Sequence, residues 1–195
     1  MPTDRLVILR TERLLVRAAT PEDVELYYAL WTNPSVMGFV GFPHGLPISR
    51  REISQGLRQP HTSELGRRLV AELLTSREAI GECYMSELDK GGVVEPDVKL
   101  LPAFWGHKYG AELWRAMVAH LFLHTACVAV HGSPNIQNIA SIKMQEAAGA
   151  RRVGEGVFEF PEEMGDYTNP VPYYAYRLTR VDWEQVQTGS QGTKP

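Results

Sequence analysis

The chain has 195 residues, 44% hydrophobic and 22% charged, with a formal net charge of −3. That length suits a single domain with a sizeable core, and the composition excludes a fibrous or disordered chain. The slightly acidic balance argues against nucleic acid as the main partner, because neutralising phosphates needs a basic face.

Leu6 to Ala19 reads as two strands, Leu6 to Leu9 and Leu14 to Arg17, broken at Arg10 to Arg13. A helix starts next: Thr20 caps it, Pro21 suits the first position, and Glu22 and Asp23 favour the positive end of its dipole. Val24, Tyr27, Tyr28 and Trp31 give it an apolar face, and Asn33-Pro34 stops it. Val36 to Pro47 reads as an apolar loop, which packs under a neighbouring helix or walls a substrate pocket. Ser49 to Glu52 is a capping box that opens a short helix carrying Ile53 and Leu57, and Gln59 to Gly66 is a polar surface loop.

Leu69 to Leu74 and Glu78 to Leu88 read as a strand pair, and Val93 to Leu101 as a further strand interrupted at Pro96. A proline there implies an edge, a bulge or a strand end. Trp105 to Ala111 is a turn with glycines at 106 and 110, leading into a helix to His124 that is buried on a wide face. Ala126 to Val130 is a short buried strand, and Asn135 to Ala148 a helix that Gly149 stops. Arg152 to Phe160 and Tyr173 to Leu178 close the fold as strands, joined by an acidic, turn-rich connection. Residues 1–186 are expected to form one domain, with 187–195 a disordered tail. The order predicts an α+β fold, a mixed and mostly antiparallel sheet of about seven strands with helices on both faces.

A strand, a glycine-flanked turn and a helix start make an anion site, because unpaired N–H groups point outward and the helix dipole adds positive potential. That suggests a phosphate-bearing cofactor. The P-loop motif is absent, and so is the dinucleotide fingerprint after an N-terminal strand. Cys83 and Cys127, the only cysteines, lack metal-ligand spacing, so reduced core thiols and no metal are expected. His120 and His124 share a helix face but have no acidic or cysteine partner nearby in sequence. No apolar run approaches the roughly 20 residues of a membrane span, and Met1 to Arg5 opens no signal-peptide core. A soluble, cytoplasmic protein that contacts neither nucleic acid nor membrane is the expectation.

Thr11 to Arg17, Asn33 to Val36, Pro102 to Glu112, Asn138 to Ser141 and Ala147 to Gly149 resemble, in order, the GCN5-related N-acetyltransferase (GNAT) superfamily, nearest its ribosomal-protein-acetylating RimJ/RimL-type branch. The resemblance implies that the backbone of Leu100 and Leu101 pairs with the pantetheine arm of acetyl-CoA. It implies that Trp105, Gly106, His107, Lys108, Tyr109, Gly110 and Ala111 hold the pyrophosphate. Asn138 would bind the pantetheine side, and Ser141 would sit near the thioester sulfur and replace the usual tyrosine, whose place Gln145 takes. Lys143 could reach the cofactor's phosphate end, or lie in solvent. Lys108 stands where the superfamily has its first loop glycine, and Ala150 where it has a phenylalanine.

The implied reaction is direct transfer of acetyl from acetyl-CoA to a primary amine of a protein, peptide or small molecule. The base would be a carboxylate: Glu95 and Asp97 on the strand before the loop, Glu82 on the one before that, or Glu159, Glu162 and Glu163 in the closing segment. An alternative is an acyl-CoA-binding or regulatory protein of the same fold without catalysis. The expected assembly is a monomer or a homodimer.

Overall fold

In this computed structural model residues 6–189 are described. Strands β1 (Val7–Arg10) and β2 (Leu14–Ala18) lead to helices α1 (Val24–Trp31), α2 (Pro34–Met37) and α3 (Arg50–Leu57). Strands β3 (Arg68–Leu73), β4 (Ala79–Met85), β5 (Val93–Val94) and β6 (Pro96–Leu100) follow, then α4 (Tyr109–His124). The chain closes with β7 (Ala129–Gly132), α5 (Ile139–Ala147), β8 (Arg151–Phe158), β9 (Val171–Thr179) and α6 (Arg180–Gly189). This is the α+β arrangement expected from the sequence, with nine strand segments among the described residues.

The strands form two sheets, β1-β2-β3-β4-β6 and β5-β7-β9-β8. The first is antiparallel throughout, and β5 with β7 makes the parallel pair that the strand–helix–strand crossover requires. Both sheets meet at residues 93–100, one stretch of chain that serves each in turn. One face of the first sheet packs on α4 through Leu113, Trp114, Met117, Val118, Leu121 and Phe122. The opposite face carries Val70 against Tyr27, Leu30 and Ile53 of α1 and α3. The apolar segment after Trp31 is more ordered than a loop, since Asn33 caps α2 by accepting from Ser35 N at 2.9 Å. Ser49 and Glu52 form the expected capping box.

Pro96 divides the sheets. Val128 N donates to Gly92 O at 2.9 Å, so even-numbered residues of β5 face β7 and the next donor would be residue 96. Proline has no N–H, and the parallel ladder ends at Val94 and Val130. Toward β4 the odd-numbered residues bond: Ser86 N donates to Glu95 O, and Leu101 N to Ile80 O. The backbone groups of Val98 and Leu100 therefore point into the opening between β6 and β7.

Two features were not read from the sequence. The last helix, α6, continues through Gly189, so residues 187–189 are helical and not an irregular tail; 190–195 lie outside the described residues. Arg17 is buried inside β2, where Nε bonds Glu72 at 2.6 Å and the two terminal nitrogens bond Asp23 at 2.8 and 2.7 Å. Burial alone would raise the Asp23 pKa, but hydrogen bonds from Arg17 and Thr20 outweigh it and hold the carboxyl below the usual range. Removing the guanidinium would leave two buried carboxylates short of a cation, and Arg17→Met is expected to cost about 3–5 kcal/mol in denaturant unfolding. A depressed folded-state pKa gives stability above the unfolded value of about 3.9, which is lost as pH falls through the folded value. Asp23→Asn is therefore expected to flatten the acid limb of the stability curve below about pH 4; an unchanged slope there would contradict this origin.

Candidate active site

The turn after β6 is shaped as an anion cradle. Residues Pro102–Phe104 make a short 3-10 turn, Gly106 takes φ +81°, and Lys108 caps α4 at φ +64°. The first bond that closes α4 runs from Glu112 N to Lys108 O, so Tyr109, Gly110 and Ala111 have no carbonyl to bond within the helix. Lys108 supplies no side-chain cap, and the residues from Trp105 to Lys108 are exposed. His107 stacks on Tyr109, with centroids 5.5 Å apart, and the Arg13 guanidinium lies 4.6 Å from the same ring. Arg13 also bridges Glu112 at 2.6 Å. Burial pushes the Glu112 pKa up, but bonds from Thr11 and Arg13 more than offset it, and this first-turn carboxylate is held ionised.

The strand leading to the turn offers fewer free groups than a pair of leucines would. Trp105 Nε1 donates to Leu100 O at 2.8 Å, and Leu101 N is bonded to Ile80 O. What faces the opening is the Leu100 N–H and both backbone groups of Val98. Across the opening, Asn138 caps α5 by accepting from Ser141 N at 3.1 Å, so the two residues are neighbours at one helix start. Both are half-buried, and Lys143 is exposed. Gln145 is buried, and its Oε1 has no partner among the described residues. It presses so closely on Gly132 of β7 that a Cβ there would lie 2.3 Å from Oε1. A buried acceptor without a donor is costly in a closed core.

The side chains of β6 divide between two faces. Val94, Val98 and Leu100 join the α4 core, whereas Leu101 joins the α1 side. Alternation puts Glu95, Asp97 and Lys99 on the α1 side. Glu82 of β4 faces the same way: it is fully buried, accepts from Trp31 Nε1, and pairs with Arg68 at 3.3 Å and Lys99 at 3.7 Å. Burial raises its pKa despite those cations. Its oxygens are engaged, which removes Glu82 as a base for an incoming molecule. Asp97 is bonded to the Lys99 ammonium. Glu162 sits exposed in a 3-10 turn of the β8–β9 connection.

Glu95 has a partner the sequence did not reveal. At the fork of the two sheets its Oε1 accepts from His131 Nδ1 at 2.8 Å, and its backbone N is fixed by Ser86 Oγ at 2.9 Å. A histidine held by a carboxylate through Nδ1 keeps Nε2 as a proton acceptor. The pair opens on a cleft of about 510 Å³ whose other walls are Phe39, Val40, Ser133, Phe158, Phe160, Val171 and Tyr173. Four stretches of chain make these walls, and hydrogen bonds tie their neighbours together: Asn135 Nδ2 donates to Phe39 O at 3.3 Å, and Asn169 N to Gly41 O at 2.8 Å. A polar depression of about 300 Å³, lined partly by Glu87, Asp89 and Arg177, adjoins the same pair. His120 pairs with Glu64 at 2.8 Å, and no cluster of three metal-binding side chains exists among the described residues. No helix among them is long and apolar enough to cross a membrane.

The family model for the acetyltransferase (GNAT) domain matches residues 13–151, and the chain belongs to that acetyltransferase family. No curated protein sequence matches it significantly. Among solved structures it is similar to a GNAT-family acetyltransferase from Bacillus anthracis, at 18% identity and TM-score 0.73, covering 90% of this chain and 99% of that one. It is as similar, at 18% identity and TM-score 0.73, to spermidine N-acetyltransferase from Vibrio cholerae in complex with CoA and spermine, over 89% and 99% of the two chains. Aminoglycoside acetyltransferase AAC(6')-Ib in complex with coenzyme A follows at 20% identity and TM-score 0.68, over 89% and 99%.

The two left-handed residues of the cradle differ in what they tolerate. A Cβ on Gly106 would meet nothing within 4 Å, so Gly106→Ala tests backbone strain alone, and a loss of about 1–2 kcal/mol is expected. Lys108→Gly relieves the same strain and is expected to leave the unfolding midpoint unchanged or raised. A large loss of stability on placing glycine at 108 would show that the lysine side chain holds the turn.

Proposed function

We propose that this protein transfers acetyl from acetyl-CoA directly to a primary amine bound in the cleft at the fork, with Glu95 and His131 receiving the amine's proton. The observation that carries the reading is the meeting, at residues 93–100, of an open strand edge, an anion cradle and a carboxylate-held histidine. Acetyl-CoA supplies a thioester activated toward amines. Gly106 to Ala111 offer the N–H groups for its pyrophosphate, and Val98 and Leu100 offer an edge for its pantetheine arm. Asn138, the cap of α5, is assigned to the other side of that arm. The CoA-bound spermidine and aminoglycoside acetyltransferases that share the fold support this choice of co-substrate and acceptor chemistry.

An ammonium cannot attack a carbonyl, so the acceptor must first lose a proton. His131 Nε2 takes it while Glu95 stabilises the imidazolium through Nδ1. The nitrogen lone pair then bonds the acetyl carbon, and the carbonyl electrons move onto oxygen, giving a tetrahedral oxyanion. The carbon–sulfur bond breaks, the attacking nitrogen gives its second proton to solvent, and the thiolate takes a proton from the Ser141 hydroxyl, which solvent reprotonates. The likeness to the RimJ/RimL-type branch belongs to this proposal, as does a cytoplasmic location, which suits two free, buried cysteines.

Isothermal titration is expected to show acetyl-CoA binding well below millimolar concentration, and the absence of heat at that concentration would end the proposal. With an accepted amine, His131→Gln is expected to lower kcat about 100-fold or more while leaving acetyl-CoA binding intact. A variant as fast as the parent would move the base elsewhere.

A further inference from the structure

The cleft's walls also say what kind of amine fits. Beyond Glu95 and His131, the residues facing it are Ser133 and six apolar or aromatic side chains, with no lysine or arginine. Phe158 and Phe160 meet edge to face with centroids 4.9 Å apart, and Phe42 supports Phe160 from behind at 5.3 Å. Gly41, at φ +94°, lets Phe160 approach: a Cβ there would lie 2.3 Å from its ring. Phe158 nonetheless leaves 54% of its surface exposed, and Val40 leaves 36%. This is an aromatic wall held in place and still facing solvent, in a cleft of about 510 Å³, the size of a small-molecule site.

We infer that the acceptor is a primary amine carried on one aromatic or bulky apolar group, with a single ammonium meeting Glu95 and His131 and the apolar body lying on Phe158, Phe160 and Tyr173. One carboxylate in the cleft serves one ammonium. A second or third ammonium would be desolvated against phenylalanine without a counter-charge. In the adjoining depression Asp89 Oδ1 already accepts from the Gly91 and Val93 N–H groups, and Arg177 lines it together with Glu87, which leaves little uncompensated negative charge for such a group. The carboxylates of Glu159, Glu162 and Glu163 are exposed on the connection and line neither depression. The arrangement thus separates this protein from the polyamine and aminoglycoside acetyltransferases that share its fold. The inference rests on the acetyl-transfer reading only for turnover; which body the cleft accepts is a question of binding.

The test compares 2-phenylethylamine, the tripeptide Phe-Gly-Gly, propylamine, spermidine and kanamycin on the full chain. CoA release with acetyl-CoA is measured alongside direct titration of each amine into the protein saturated with CoA. 2-Phenylethylamine or the tripeptide is expected to exceed spermidine and kanamycin at least tenfold in kcat/KM, and whichever of the two leads names a free amine or a peptide terminus. Phe158→Ser, at an exposed position that the fold tolerates, is expected to lower the ratio of 2-phenylethylamine to propylamine at least fivefold, and Phe160→Ser at least as much. Spermidine or kanamycin leading, or an unchanged ratio in both variants, overturns the inference. If no amine releases CoA, the transfer reading fails, and titration decides separately. Tighter binding of 2-phenylethylamine than of spermidine, weakened by Phe158→Ser, keeps the inference; equal binding, or none, overturns it.

Discussion

The site depends on one missing hydrogen-bond donor. Residues 93–100 could have continued as a single strand between β4 and β7, and the domain would then have one closed sheet. Pro96 occupies the position whose N–H would extend the ladder to β7, so pairing ends at Val94 and Val130 while pairing to β4 runs on to Leu100. The sheets part, and the unpaired edge of β6 faces an opening, not a strand. Unpaired backbone inside a fold is costly unless something binds it. The proline thus creates both the space and the chemical demand that an extended pantetheine arm can meet.

The fork also explains why the polar residues lie where they do. Alternation along β6 sends Val98 and Leu100 into the α4 core and Glu95, Asp97 and Lys99 to the other face. That face is not uniformly open. Near α1 it is closed by Trp31, Arg68 and Lys99 around the buried Glu82, and further out by Arg17 between Asp23 and Glu72. Such networks do not rank high as sources of stability, since desolvation offsets most of their attraction. Their effect is to fix α1 against the sheet, so that the turn carrying Phe39 and Val40 meets the β8–β9 segment at one separation. Only at the fork does a carboxylate of this row, Glu95, remain accessible beside a histidine.

Local chemistry made much of this legible in the sequence. Pro96 read as a break, the Ser49–Glu52 box as a helix start, Gly149 as a helix stop, and Gly106 to Gly110 as an anion turn, because each acts through its own backbone. What depends on register was hidden. His131 and Glu95 lie 36 residues apart and meet through a parallel pair of two residues on each side. Glu82 read as a candidate base until pairing set it opposite Lys99. Arg17 read only as the end of a strand, yet every residue of β2 is buried. The helix α6 was missed for a different reason: its mostly polar sequence has little apolar periodicity, and Trp183 packing on Phe122 anchors it to the core.

Trp105 links the open edge of β6 to the turn before α4 more tightly than their sequence positions suggest. Its indole N–H closes the Leu100 carbonyl, the last acceptor on the open edge of β6, while its own backbone begins the turn that leads to Gly106. A ligand arm along this edge therefore finds a donor at Leu100 and both a donor and an acceptor at Val98. The same contact ties the strand's end to the anion turn, so the distance between the arm's pairing edge and the phosphate cradle is set by one side chain. Lys108 then adopts the left-handed turn that glycine would take more easily, and its exposed side chain brings a positive charge to the cradle's rim. Backbone ease is exchanged there for a charge beside the free N–H groups of the first turn of α4.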